Sequence, residues 1–156
     1  MPSLQPQPLK SLHHDLPAYI TFVNRTNIFI DVVWVDYRGQ FVRYYKKLPP
    51  GERLPLNTFV THPWIAWASD TQNRINVDKS YVFYPQPWQG EQRRTIIYLD
   101  LPLLSLLDIC IQKVRSLVKP EHIEELEIPR ELFWKLKERK EVRVEDSPHI
   151  TELRQH

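Results

Sequence analysis

Cys110 and the six histidines, at positions 13, 14, 62, 122, 149 and 156, have the widest chemistry open to them in this chain. One thiol excludes an internal disulfide and any zinc site built on several thiolates. No two histidines stand in the H-x-x-x-H spacing that puts both on one helix face. Gly39, Gly51 and Gly90 are too scattered to cradle a phosphate. A hydrolase built on His62 needs a serine or aspartate spaced as nucleophile and orienter, and no such set is visible. Nothing near Cys110 marks it as a nucleophile, and a free cysteine otherwise behaves as a small hydrophobe. No catalytic residue, metal site or cofactor is therefore expected. The aromatic residues remain, with Trp34, Trp64 and Trp67 among them, and these suit either a core or a binding wall.

The elements that would position these residues change character near residue 100. Before it, β-branched and aromatic residues dominate; after it come Leu, Glu, Lys and Arg. YITFVN (19–24) alternates as a half-buried strand does, and IFIDVVWVDY (28–37) reads as a longer one. Arg38-Gly39 turns the chain into FVRYY (41–45). Residues 46–55 carry three prolines and a glycine, reading as a loop or a broken edge strand. LNTFV (56–60), PWIAWA (63–68), YVFY (81–84) and TIIYL (95–99) complete about seven short strands, which predict an antiparallel β-sandwich. Ser105 and Asp108 then form an S-x-x-D cap, and apolar residues recur at helical spacing to Val118. Pro120 stops that helix, and Pro129 opens another carrying Leu132, Phe133 and Leu136. The fold class is α+β, a sandwich followed by a small cluster of about three helices. The expected divisions are a loose tail (1–17), a β domain (18–100), an α domain (101–140) and a polar tail (141–156).

A chain of 156 residues can fold as one domain or two small ones, burying roughly 68–70% of its unfolded surface. With 42% hydrophobic and 26% charged residues it is globular rather than disordered. A net charge of +2, and aromatics without an interleaved basic stripe, give no footprint for nucleic acid. No apolar run reaches the roughly 18 residues of a membrane span. The first 17 residues lack a secretory signal's apolar stretch, and the single cysteine suits a reducing compartment, the cytoplasm and nucleus.

The helical part is short for a self-sufficient core, since segments below roughly 40 residues rarely sustain one. Yet its first helix is apolar well beyond one stripe, with Leu103, Leu104, Leu106, Leu107, Ile109, Cys110, Ile111 and Val114. Short neighbouring helices cannot cover all of that, so from periodicity alone either another protein completes this core or the helices pack on the sandwich.

The run SLLDICIQKVRSLVKPEHI (105–123) resembles the elongin C-binding box, with Ser105, Leu106, Cys110 and Val114 in the required positions. Its extension VRSLVKPE (114–121) resembles the von Hippel–Lindau family in particular. Ile128-Pro129-x-x-Leu132-x-x-x-Leu136 is similar to that family's cullin box, and LPPG (48–51) with NTFVTHPW (57–64) to its ligand-binding segment. The similarity runs in order from about Tyr19 to Leu136.

The resemblance implies a non-catalytic substrate receptor of a ubiquitin ligase. Ser105, Leu106, Cys110, Val114 and Leu117 would meet elongin C, which brings elongin B. Ile128, Pro129, Leu132 and Leu136 would recruit a cullin-2-type scaffold. The β domain would bind a prolyl-hydroxylated peptide of hypoxia-inducible factor alpha through Trp34, Tyr44 or Tyr45, Leu56, Asn57, Thr58, His62 and Trp64. The alternative is an elongin-attached receptor whose sandwich takes a different, non-hydroxylated ligand. Thr58 stands where the family usually has serine, Asn57 replaces a histidine, and Leu54 falls where an arginine is usual. Counting from Gly39 favours Tyr44 for the pocket, and counting back from Leu48 favours Tyr45, so a bulge is implied.

Overall fold

The computed structural model describes residues 8–138 and 143–152. They fall into two compact units: one contains every described strand, the other the helices. The strands are β1 (Pro17–Asn24), β2 (Ile30–Val35), β3 (Phe41–Leu48), β4 (Arg53–Phe59), β5 (Trp64–Ala68), β6 (Arg74–Val77), β7 (Thr95–Asp100) and β8 (Val144–Glu152). They form one sheet in the order β4-β1-β7-β6-β5-β2-β3-β8, antiparallel except at β1–β7 and β3–β8. The sheet curls so that inner side chains from both ends share one core. Ile20 and Phe22 of β1 meet Ile30 and Val32 of β2, Trp64 and Ala66 of β5, and Ile97 and Leu99 of β7. This is the expected α+β class, with eight strands rather than about seven.

The strand reading needs three corrections. YVFY (81–84) makes only an isolated bridge, in which Phe83 and Trp64 exchange backbone bonds of 2.9 Å. The missed strand, β6, is four residues long and half polar, too short to show a period; pairing with β5 and β7 creates it. The segment from residue 141, read as a polar tail, contains β8. That strand pairs in parallel with Phe41, Val42 and Arg43, so the edge of β3 satisfies its backbone groups without an apolar pattern. Within residues 46–55, β3 runs on to Leu48 and β4 begins at Arg53. Pro55 is tolerated there because β4 is an edge strand.

Two register shifts in β3 set the tyrosines. Val32 pairs with Tyr45 and its neighbour Val33 with Arg43, so Tyr44 is an extra residue. Between Ile30↔Leu48 and Val32↔Tyr45 a second extra residue is taken up near Lys47, whose φ is 58°. Such bulges break the alternation of faces, which lets Tyr44 and Tyr45 both pack on the same core.

In the helical unit, α1 (Leu106–Leu117) starts where expected. Ser105 caps it by accepting from the Asp108 backbone N–H at 3.1 Å. Pro120 opens a 3₁₀ turn (Pro120–Glu125), and Pro129 directly precedes α2 (Arg130–Lys137). Ile111, Ile123 and Leu136 form the buried centre, with Val114, Val118, Leu126, Ile128 and Phe133 packed around it.

Candidate functional site

Beside the edge strand β4, the β unit gathers an aromatic cluster. Trp34 leaves the inner face of β2 half-exposed. The bulged Tyr44 stands edge-on to it at 6.1 Å between centroids, and edge-on to Trp64 at 5.2 Å. Of the two tyrosines, then, Tyr44 lies between the tryptophans, while Tyr45 is 7% exposed within the core. His62 stacks on Trp34 at 5.3 Å and tilts against Phe59. On β4, Thr58 is buried, Leu56 is half-buried against the core, and Asn57 faces out. Leu54 also packs on the core, so it serves burial at the position where the family usually has arginine.

The polar atoms of the cluster are already engaged. Trp64 donates its Nε1–H to Thr58 Oγ1 at 3.0 Å. His62 Nε2 lies 3.0 Å from the Tyr37 hydroxyl. Burial holds the His62 pKa below its ordinary value, His14 lowers it further, and a bond with the His13 backbone opposes both. A neutral imidazole follows at pH 7. Burial likewise raises the Tyr37 pKa, so its hydroxyl stays protonated.

The segment read as a loose tail supports this cluster. Ser11 is 2% exposed; its hydroxyl accepts from Trp34 Nε1–H at 2.8 Å and donates to the Val35 carbonyl at 2.6 Å. The Leu12 and His13 backbone N–H groups bond Thr61 Oγ1, and Val60 N–H bonds the Leu16 carbonyl. Gly39, with a left-handed φ of 77°, leaves room for this segment: a Cβ there would sit 3.2 Å from the Leu9 carbonyl oxygen. Ser11 and Tyr37 were both missed in the sequence. Ser11 sits in a proline-rich stretch without periodicity, whereas the aromatic just before the Arg38-Gly39 turn was a usable signal for Tyr37.

The second candidate surface is on α1. Positions 106, 110 and 117 share one helix face. Leu106 is 77% exposed, Leu117 72%, and Cys110 is exposed beside them. Val114 turns toward the core at the margin of this stripe, and Ser105 is occupied as the cap. Among the expected cullin contacts, Ile128 and Leu132 are half-buried and Pro129 is exposed. Leu136 is only 2% exposed, so it holds the helices together and presents nothing to a partner. The exposed Trp134 on the same helix was not singled out from the sequence. Among the described residues no group of three or more His, Cys, Asp or Glu side chains is arranged to hold a metal ion, and no helix is long and apolar enough to cross a membrane.

Two family models match the chain, the VHL beta domain over residues 9–91 and the VHL box domain over residues 104–150. Protein Vhl of Drosophila melanogaster is 29% identical over 104 residues, which are 60% of this chain and 58% of that protein. The chain thus aligns with somewhat over half the length of this curated relative.

Proposed function

This chain belongs to the VHL (von Hippel–Lindau) family, and from that premise we propose that it is a substrate receptor, held by elongin C and elongin B on a cullin-2-type ubiquitin-ligase scaffold. The observation that carries this reading is the apolar stripe of Leu106, Cys110 and Leu117 on a helix whose own unit has, among the described residues, three buried side chains. Long leucines flanking a small cysteine make a surface into which a partner's backbone and side chains can pack closely. The receptor's work is then capture and positioning, with ubiquitin transfer done by other subunits. The exposed thiol suits a reducing compartment, the cytoplasm and nucleus.

In the finer reading, the β unit binds a peptide of hypoxia-inducible factor alpha through its hydroxyproline. The edge strand β4 offers backbone groups to an extended peptide, and the cluster beside it offers flat walls for a rigid pyrrolidine ring. A second reading, a receptor for a non-hydroxylated ligand, is favoured by one observation: Thr58 and His62 already have partners within the chain. Two assays separate these readings. Co-purification with elongins tests the attachment, and affinity for hydroxylated against unmodified degron peptide tests the ligand. The first reading expects elongin capture and at least ~10³-fold preference for the hydroxylated form, allowing for water that refills a shallow site. Capture without preference selects the second reading, and no capture removes both.

A further inference from the structure

On the face of β4, β1 and β7 turned away from the core, aromatic side chains stand in solvent without slack. Ile20 and Phe22 of β1, Leu54 and Leu56 of β4, and Ile97 and Leu99 of β7 pack inward, so the residues between them point outward. The pairing places Thr21 beside Ile96, and Val23 between Arg53 and Tyr98. Arg94, just ahead of the β7 ladder, reaches over the Tyr19 ring at 5.8 Å. Ile96 is 44% exposed, Tyr98 39% and, from the loop before β7, Trp88 46%. Trp88 is nonetheless held firmly. Its backbone N–H donates to the Pro17 carbonyl at 3.0 Å, its indole N–H to the Glu91 carbonyl at 2.8 Å, and its ring stands edge-on to Tyr19 at 5.4 Å. A tryptophan fixed in this way is a pre-formed anchor, of a residue type that dominates binding energy at interfaces and here loses little freedom on binding.

The charges on this face are unbalanced. Arg25 lies 3.8 Å over the Tyr98 ring and is paired with Asp100 at 2.8 Å. The Glu91 carboxylate accepts the Gln89 backbone N–H at 3.0 Å. Asp78, whose backbone N–H bonds the Tyr98 carbonyl, is followed by Lys79. Glu52 lies toward the core side, where its charge raises the Tyr45 pKa. Arg53 and Arg94 remain: among the described residues neither is paired with a carboxylate, although Arg94 also donates to the Leu56 carbonyl at 3.0 Å. By strand rise and spacing their backbones lie roughly 17 Å apart on a diagonal across the face, a span of about five extended residues.

We propose that this outer face docks an acidic segment of a partner protein. Apolar side chains of the segment seat against Trp88, Ile96 and Tyr98, and carboxylates about five residues apart meet Arg94 at one end and Arg53 at the other. The planar guanidinium suits a carboxylate, and the aromatic platform excludes water beside each pair. The site is independent of the hydroxyproline reading, because it uses the opposite face of the sheet from the aromatic cluster.

The test is an NMR titration of the isotope-labelled full chain, which reads even millimolar affinities. The probe is the peptide Asp-Asp-Leu-Thr-Phe-Thr-Asp-Asp, set against its counterpart with Lys at every Asp. The acidic peptide should shift the Trp88 indole and the β1 and β7 amides, bind at least ~10-fold tighter than the basic one, and lose that advantage as salt rises. Trp88→Ser, and Arg53→Gln with Arg94→Gln, should each weaken it by at least ~10-fold, as for removal of an interface anchor. Melting curves check that the variants are folded; if the double variant is not, Arg53→Gln alone should still weaken binding several-fold. Equal binding of the two peptides, shifts that map elsewhere, or variants that bind as the native chain does overturn the proposal. So does sedimentation showing a native dimer that Trp88→Ser dissolves, which makes the face a contact between copies. Binding to phosphatidylserine vesicles through these arginines, with no acidic-peptide binding, assigns the face to a membrane surface and overturns it equally.

Discussion

The β unit and the helical unit draw on similar apolar side chains but close them differently. In the β unit, thirteen buried residues form one cluster from six strands and the Phe83 bridge, with Trp64 and Phe22 at its centre. Among the described residues of the helical unit three are buried, while Leu103, Leu106, Ile109, Leu117 and Trp134 stand more than half exposed. Fully burying one such side chain is worth roughly 1.5–3 kcal/mol, so Leu106, Ile109 and Leu117 together hold about 5–9 kcal/mol as an upper bound. That is comparable with the whole stability of a small domain, about 5–15 kcal/mol. A partner on α1 can therefore decide whether the helices are folded, whereas the curled sheet needs none. On the proposed reading the difference assigns the roles: a closed unit that presents a site, and an open unit that a partner completes.

Four changes probe this contrast, beginning with the largest. Leu106→Asp, or Cys110→Phe, should abolish elongin capture while the β unit melts unchanged, because a buried charge or an overfilled socket outweighs the remaining contacts. Normal co-purification of both variants would show that the stripe is not the attachment. Next, Phe22→Ala should cost the β unit about 3–5 kcal/mol in a denaturant titration. Leu136→Ala should unfold the free helical unit, yet be rescued in part by elongins through mass action. Rescue of Phe22→Ala as well would erase the distinction. Third, Thr58→Val should weaken hydroxyproline peptide by about 1–3 kcal/mol, by releasing the Trp64 indole N–H that Thr58 holds. The smallest effect is in pH. The folded state keeps His62 neutral while the unfolded chain takes up its proton near the ordinary histidine value, so stability should fall as pH drops below about 6.5. A His62→Gln variant should lose a few degrees less of melting temperature between pH 7.5 and 5 than the native protein; equal losses would remove His62 as the cause.

Much of this arrangement was legible because local pattern and tertiary use coincide. The S-x-x-D cap, Pro120 and Pro129 bound the helices where residue chemistry says they must. The alternation of Ile20 and Phe22 marks β1 because its two faces differ in burial. What could not be read depends on partners distant in sequence. β8 exists because the edge of β3 pairs with it, a hundred residues away. Ser11 matters only because Trp34 and Val35 come to it. Leu136 fits a docking motif and a core equally well in sequence, and only packing on Ile111 and Ile123 separates the two. Tyr44 and Tyr45 were unresolvable by counting, since both register shifts lie in the strand that carries them.

The central claim, a closed β unit beside a helical unit that a partner completes, is most directly tested by residue-resolved amide hydrogen exchange on the full chain with and without the elongin pair. In the free chain α1 and α2 amides should exchange orders of magnitude faster than those of β1, β2 and β5, and should gain protection when elongins are added, while the strands stay unchanged. Equal protection of helices and strands in the free chain, or helices that gain none with elongins bound, would contradict it.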